Sequence, residues 1–380
     1  MSEFQYYEFL AVDRSLDADA QAELRAVSTR ARISSTSFVN SYNWGDLKAD
    51  PMDLLKRHFD VFVYLANWGT RRLALRLPRS HFDPACVERF GLGDLISVRT
   101  SKSHVILDIE RNEENQGDWD DGSGWIASLA PLRVGLLDGD LSLFHLLWLI
   151  EVEAEMHDGD ATEPVSNPGP LSAPLAALAE FLRVDSDLLA AAYGTGSTRR
   201  RAEPDLDRVR AVVAGLPEAD KTAYLLRLYE GHDPHLGLEL RKRCRQEATA
   251  AGNSEGALRT AAELLERSDQ LRNARLHAQE QRAAAECRRR EAEEAKARAQ
   301  RLRSLAERGE RAWRDLEDLI ALRNAPSYDR AAVLLADLKE IAAAARRPDE
   351  FERRVAAIGA RHSQKRQFLG RLTKAGILAG

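Results

Sequence analysis

Cysteine is scarce in this chain. Cys86, Cys244 and Cys287 are odd in number and far apart, with no Cys-x-x-Cys pair and no cysteine–histidine cluster. Neither a disulfide framework nor a structural zinc site is expected from them. So thin a thiol content suits a reducing compartment. Long apolar runs are missing as well. The longest, LSLFHLLWLI at 141–150, is about half of the roughly 20 residues a bilayer-spanning helix needs. The opening MSEFQYYEFL has no basic stretch leading into an apolar core, so no secretory signal is read there. The expectation is a cytoplasmic protein with no membrane partner. Phosphate-loop, dinucleotide, nucleophile-elbow and zinc-protease motifs are also absent. The glycine-rich GTGS at 194–197 lacks the lysine of a phosphate loop. No catalytic residue, metal or cofactor is therefore assigned.

What is present is charge, and it is unevenly placed. Charged residues make up 30% of the 380 positions, above the ordinary quarter, which points to long exposed helices. The net charge of −5 hides an asymmetry. Residues 1–170 hold 16 Lys+Arg against 28 Asp+Glu, and the remainder holds 39 against 32. An acidic first part and a basic second part can mean nucleic acid at the basic end. They can equally mean that the two parts attract each other, or that the second is an arginine-rich helix. Heavy use of alanine and arginine fits a GC-rich bacterial genome.

Along the chain, residues 1–157 mix strand and helix patterns. FQYYEFLAV (4–12) reads as a strand, and DVFVYLA (60–66) as a continuous apolar, central one. LALRL (73–77) places Leu73, Leu75 and Leu77 on one face, and LISVRT with HVILDIE (95–110) reads as a hairpin. Asp50 before Pro51 and Asp83 before Pro84 mark helix starts. Residues 140–156 form a helix that is apolar nearly all round at its start, so it is expected to be buried. The fold expected is an α+β domain with a largely antiparallel sheet. Residues 158–173 have the Pro, Gly, Asp and Ser content of a linker. A small helical region follows at 174–252, a long coiled-coil-like helix at 253–323 and a C-terminal helical hairpin at 324–380.

The long helix has the clearest period. Every seventh residue from Leu264 is apolar: Leu271, Ala278, Ala285, Ala292, Ala299, Ala306, Trp313 and Ile320 follow. Nine such positions argue for pairing with another helix, within the chain, with a second copy or with a protein partner, through 256–323. Gly309 is its weak point. Arg275, Arg282, Arg289, Lys296 and Arg303 also recur every seven residues beside the seam. Such a stripe is able to follow phosphates, or to pair with glutamates on a neighbouring helix.

The tripeptide Asn-Trp-Gly occurs at 43–45 and again at 67–69 with unrelated flanks. It is read as turn chemistry used twice, with glycine supplying positive φ. Were the two strands to end together, Trp44 and Trp68 would lie near Arg71 and Arg72. That would make an aromatic, basic ligand pocket for a base or an anion. Other clusters have plainer explanations. GDWDDGSGW (117–125) departs from a calcium loop, because its glycine comes early and Leu129 stands where Glu is needed. Glu151, Glu155 and His157 read as a frayed acidic helix end. In EGHDPH (230–235), Gly231, Asp233 and Pro234 explain one helix stop and the next start without a metal on His232 and His235. RKRCR (241–245), Arg199–Arg201 and Arg288–Arg290 are basic runs.

QYYEFLAVDRSL, STSFVNSYNWGDLKADP and FVYLANWGTRRLALRLP resemble the opening of a family of uncharacterised bacterial proteins. YDRAAVLLADLKEI and FERRVAAIG are similar to the tails of related ones. The resemblance covers about the first ninety and last sixty residues. It implies occurrence beside helicase-like or SWIM zinc-finger proteins and carries no catalytic residue over. This chain itself lacks the Cys/His pattern of a SWIM finger. Three readings result. The first is a non-enzymatic adaptor of a bacterial multi-component system, with an α+β recognition domain and a helical arm. The second is a nucleic-acid-associated component acting in genome maintenance or defence. The third is an enzyme with its site near the two Asn-Trp-Gly turns.

Overall fold

Alternating apolar residues in the first 112 positions build one antiparallel sheet. In the computed structural model, which describes residues 3–113, 119–165, 168, 170–194, 206–231, 235–249 and 258–378, contacts divide the chain into two units, Met1–Arg275 and Leu276–Gly380. The sheet belongs to the first. Its strands are β1 (Gln5–Leu10), β2 (Arg32–Ile33), β3 (Ser37–Tyr42), β4 (Val61–Ala66), β5 (Thr70–Pro78), β6 (Ile96–Thr100) and β7 (His104–Asn112). They lie in the order β2-β3-β1-β4-β5-β7-β6, and every pairing is antiparallel. β1, β4 and β5 are central, which explains the unbroken apolar run at 60–66.

Successive strand residues face opposite sides, and both sides are covered. One face packs Phe9, Phe38 and Phe62 against α1 (Ala18–Val27) and α2 (Pro51–His58) through Leu24, Leu54 and Leu55. α2 begins where its grammar says. The Asp50 carboxylate accepts from the amides of Met52 and Asp53, and Pro51 takes the first turn. The other face packs Val63, Leu73, Leu75 and Leu107 against a helical layer. That layer holds α3 (Ala85–Glu88), α4 (Trp125–Leu129), α5 (Pro131–Leu137), α6 (Ser142–Glu153), α7 (Ala173–Phe181) and α8 (Ser186–Tyr193). α6 is buried from Leu143 to Val152, as an all-round apolar helix must be.

At the end of the sheet where β1 finishes, charges are buried in pairs. Arg76 donates to Asp60 at 2.7 Å, and Arg133 donates to Asp13 at 2.9 and 2.6 Å and to the Arg76 carbonyl. The second Asp60 oxygen accepts from the amides of Val12 and Asp13. Buried Asp60, Arg76 and Arg133 thus each meet an opposite charge and a backbone partner, amide donors for Asp60 and carbonyl acceptors for the arginines, the condition for tolerating them.

Three further helices follow: α9 (Leu206–Gly215), α10 (Glu218–Glu230) and α11 (Leu236–Thr249). The long helix is α12 (Ala261–Arg308), 48 residues, and the division between units falls inside it. Gly309, at φ +47° and ψ −121°, ends it, and α13 (Glu310–Ala321) begins anew. With α14 (Ala325–Ala344), α15 (Pro348–Arg361) and α16 (Arg366–Lys374), α13 builds the second unit's core. Leu316, Ile320, Tyr328, Leu335, Phe351, Val355 and Phe368 meet there, with Leu305 from the last turn of α12. The α+β region followed by an all-α region is the layout the sequence predicts. No helix among the described residues is long and apolar enough to cross a membrane.

Candidate functional site

β3 and β4 flank β1 and run antiparallel to it, so both finish beside its first residue. Tyr42 and Ala66 share Gln5 as register partner. The two Asn-Trp-Gly turns therefore emerge at one end of the sheet, on either side of β1. Each is fastened to the start of β1. At the first, Gln5 Nε2 donates to the Gly45 carbonyl at 2.8 Å, and the Tyr7 hydroxyl donates to Asp46. Tyr64 donates to Gln5 Oε1 at 2.8 Å from the neighbouring strand. Burial and the carboxylate beside it push the Tyr7 hydroxyl's pKa up, so it stays a donor. At the second turn, Asn67 and Phe4 exchange two bonds. The Asn67 amide donates to the Phe4 carbonyl and the Phe4 amide to Asn67 Oδ1, both at 3.0 Å. The indoles themselves stay in solvent: Trp44 is 68% exposed and Trp68 43%.

Arg71 and Arg72 do not join them as a pair. Neighbours on a strand point to opposite faces. Arg71 turns under the helical layer and is buried. It donates to the Phe181 carbonyl at 3.0 Å and to Asp120 at 3.2 Å, and its guanidinium lies 5.3 Å from the Phe181 ring and 6.0 Å from Trp125. Arg72 turns to the α1–α2 face and forks onto Asp108 with two bonds of 2.7 Å. That bidentate contact, the first cause, raises the Arg72 pKa, while burial and then Arg183 lower that of Arg71.

A third exposed indole at this end of the sheet is Trp119. Its ring centroid is 4.9 Å from that of Phe4, and it is 69% exposed. Behind it, Asp120 accepts from Arg71, from Trp125 Nε1 at 2.9 Å and from the Gly122 amide at 2.9 Å. Asp121 accepts from the Ser123 amide and hydroxyl. Gly122 has φ +79°, and a Cβ there would stand 2.4 Å from the Tyr6 ring, so this turn requires glycine. Arg71, Trp119, Asp121, Trp125, Glu180 and Arg183 border an open cleft of about 600 Å³. Thus the acidic segment forms one wall of a cleft. Asp118 lies outside the described residues. The one local sign in the sequence that sets Trp119 apart from a core indole is its place between two aspartates.

The remaining clusters serve the fold. Glu151 accepts from the Gly93 amide at 2.7 Å and stands 3.5 Å from His157. His235 is 3.2 Å from Asp13 and its ring 5.2 Å from that of His81; His232 and Asp233 lie outside the described residues. Among the described residues no group of three or more His, Cys, Asp or Glu is placed to hold a metal. Fully buried His145 reaches the Tyr193 hydroxyl at 2.8 Å and Glu163 at 3.5 Å, a cluster that the sequence does not reveal. Of the seven-spaced cations, Arg275 donates to Asp187 at 3.1 and 2.7 Å. Arg289 is 3.8 Å from Glu293, and Arg282, Lys296 and Arg303 are exposed. Arg199–Arg201 lie outside the described residues, as do the side chains of Cys244 and Arg245. Comparison with family models, with curated proteins and with solved structures finds no match.

Proposed function

We propose that the chain is a non-enzymatic adaptor of a bacterial multi-component system, in which the α+β unit recognises a partner and α12 pairs with another helix. One observation carries the reading. Residues 273–301 of α12 are exposed on every face, while Ala278, Ala285, Ala292 and Ala299 keep the seven-residue spacing. Alanine propensity and i,i+4 pairs such as Arg290–Glu294 at 2.9 Å sustain a solvated helix. Neither requires a seam in register; pairing does. Replacing Ala285 and Ala292 by Glu tests it. Light scattering on the full chain should show a mass above the 42.4 kDa of one chain that falls to one chain in the double variant. The same substitutions should abolish capture of a protein partner, should the pairing be heterologous. A monomeric native chain whose partner capture survives both substitutions overturns the proposal.

A second reading has its own support. Arg282, Lys296 and Arg303, spaced by 14 and then 7 residues, stand exposed and make no ion pair among the described residues. A stripe of this kind suits phosphates. Binding to duplex DNA would then weaken steeply between low and physiological salt, and absence of binding at low salt ends that reading.

A further inference from the structure

Exposed tryptophan is uncommon surface, and three indoles at one end of a sheet point to a partner. Trp44, Trp68 and Trp119 are the large exposed indoles among the described residues, and all three reach back to two adjacent residues. Gly45, next to Trp44, is bonded to Gln5; Asn67, next to Trp68, is bonded to Phe4; Trp119 packs on the Phe4 ring. The turns at β3 and β4 are two strand spacings apart, roughly 10 Å, within the span of a short peptide segment. Both turns are bonded down, so the indoles are presented on an ordered backbone and little ordering cost falls on binding.

Charge selects the partner. The arginines at this end are engaged inside the fold: Arg71 with Asp120, Arg72 with Asp108, and Arg111 with Glu113 at 2.6 Å. What remains exposed is mainly acidic, namely Glu3, Asp46, Asp121 and Glu180, against Lys48 and the half-buried Arg183. A phosphate backbone would meet net negative charge here. A lysine or arginine side chain would meet an indole face and a carboxylate together. We propose that this end of the sheet is a docking surface for a Lys/Arg-rich polypeptide segment. The inference rests on the recognition half of the function proposed above and gives that half its chemistry. Assembly through α12 is read separately by light scattering, so the two fail independently.

The test uses the full chain and a fluorescein-labelled oligo-arginine peptide followed by anisotropy. Trp44→Ala, Trp68→Ala and Trp119→Ala leave the net charge unchanged, so their effect isolates the indoles. Combined, they should weaken binding at least about tenfold, and Asp121→Asn with Glu180→Gln should weaken it further. Circular dichroism checks the fold, and the three single variants, each expected to lose roughly two- to fivefold, replace the triple one should it unfold. Unchanged affinity without the indoles overturns the proposal. So does a single-stranded oligonucleotide that binds more tightly than the peptide and depends on the same tryptophans, since that would make the surface a base-stacking one.

Discussion

Arg259 donates to both carboxylate oxygens of Glu163, from Nε at 2.8 Å and from Nη2 at 2.7 Å, across 96 residues of chain. The same guanidinium donates to the Ala191 and Ala192 carbonyls at 2.9 and 3.0 Å, near the end of α8. Arg272 and Arg275, farther on, reach Asp185 and Asp187 at the start of α8. The first turns of α12 therefore lie along α8 in the opposite sense, held at both ends by arginine. Glu163 is buried, so Arg259→Ala leaves a carboxylate inside that has lost its guanidinium and keeps, among the described residues, only His145 as a side-chain neighbour. A loss of about 3–5 kcal/mol is expected, read as a lower urea midpoint. A midpoint shift worth under about 1 kcal/mol would show that this pair does not anchor α12.

The same pair makes stability depend on acid. Burial pushes the Glu163 pKa up, but hydrogen bonds from His145 and Arg259 outweigh it and hold it at about 2. A carboxylate lowered by folding stabilises fully above its ordinary value, near 4.5, and loses that contribution as pH falls toward 2. Melting temperatures of the native chain and Glu163→Gln, taken between pH 6 and pH 2, should therefore converge on the acid side. Parallel curves over that range would contradict the assignment.

The two Asn-Trp-Gly turns should tolerate substitution differently. Gly69 has φ +109°, and its Cβ would fall 1.7 Å from the Glu113 carbonyl oxygen. Gly69→Ala must move the backbone, with a cost of roughly 2–4 kcal/mol. Gly45 has φ +87° and open space around it, so Gly45→Ala incurs only conformational strain, about 1 kcal/mol. Equal losses in chemical denaturation would mean that the close approach at Gly69 is not what requires glycine.

Periodic patterns made much of the fold legible in the sequence. The run at 60–66, the alternation at Leu73, Leu75 and Leu77, and the Asp-Pro start of α2 report local physics, and each stands where it was read. Features set by distant partners were not legible. Residues 158–173 have linker composition, yet Glu163 within them is buried because Arg259 lies beside it. α4 and α5 have no side-chain cap to announce them. For the candidate site, the shared sheet end of Trp44 and Trp68 depends on strand order, which composition does not encode. Strand alternation does separate Arg71 from Arg72, but it cannot say that Asp120 waits on one face and Asp108 on the other. Trp119 becomes a site residue only through Phe4, far away in the chain.

Gly309 offers a test in which helix propensity and packing oppose each other. Its φ of +47° and ψ of −121° are open to glycine and strained for any residue with a Cβ. An added methyl group would meet nothing within 4 Å, so the conflict in Gly309→Ala is one of backbone alone. Alanine is about 1 kcal/mol better than glycine inside a helix, which would favour fusing α12 and α13 into one rod. Fusion would swing α12 relative to α13 and take Leu305 out of the core it shares with Leu316, Ile320 and Leu335, along with the Arg298–Glu340 and Arg301–Asp337 pairs to α14. Burial of one leucine, worth about 1.5–3 kcal/mol, outweighs one propensity increment, so the break should be kept under strain, or the core disturbed. Either way Gly309→Ala should lower the melting temperature of the Leu276–Gly380 unit, by an amount corresponding to about 1–2 kcal/mol, followed by circular dichroism. A raised melting temperature with greater helicity would mean that α12 and α13 are able to run on without loss, and that the seam from Ala306 through Trp313 to Ile320 belongs to one continuous helix.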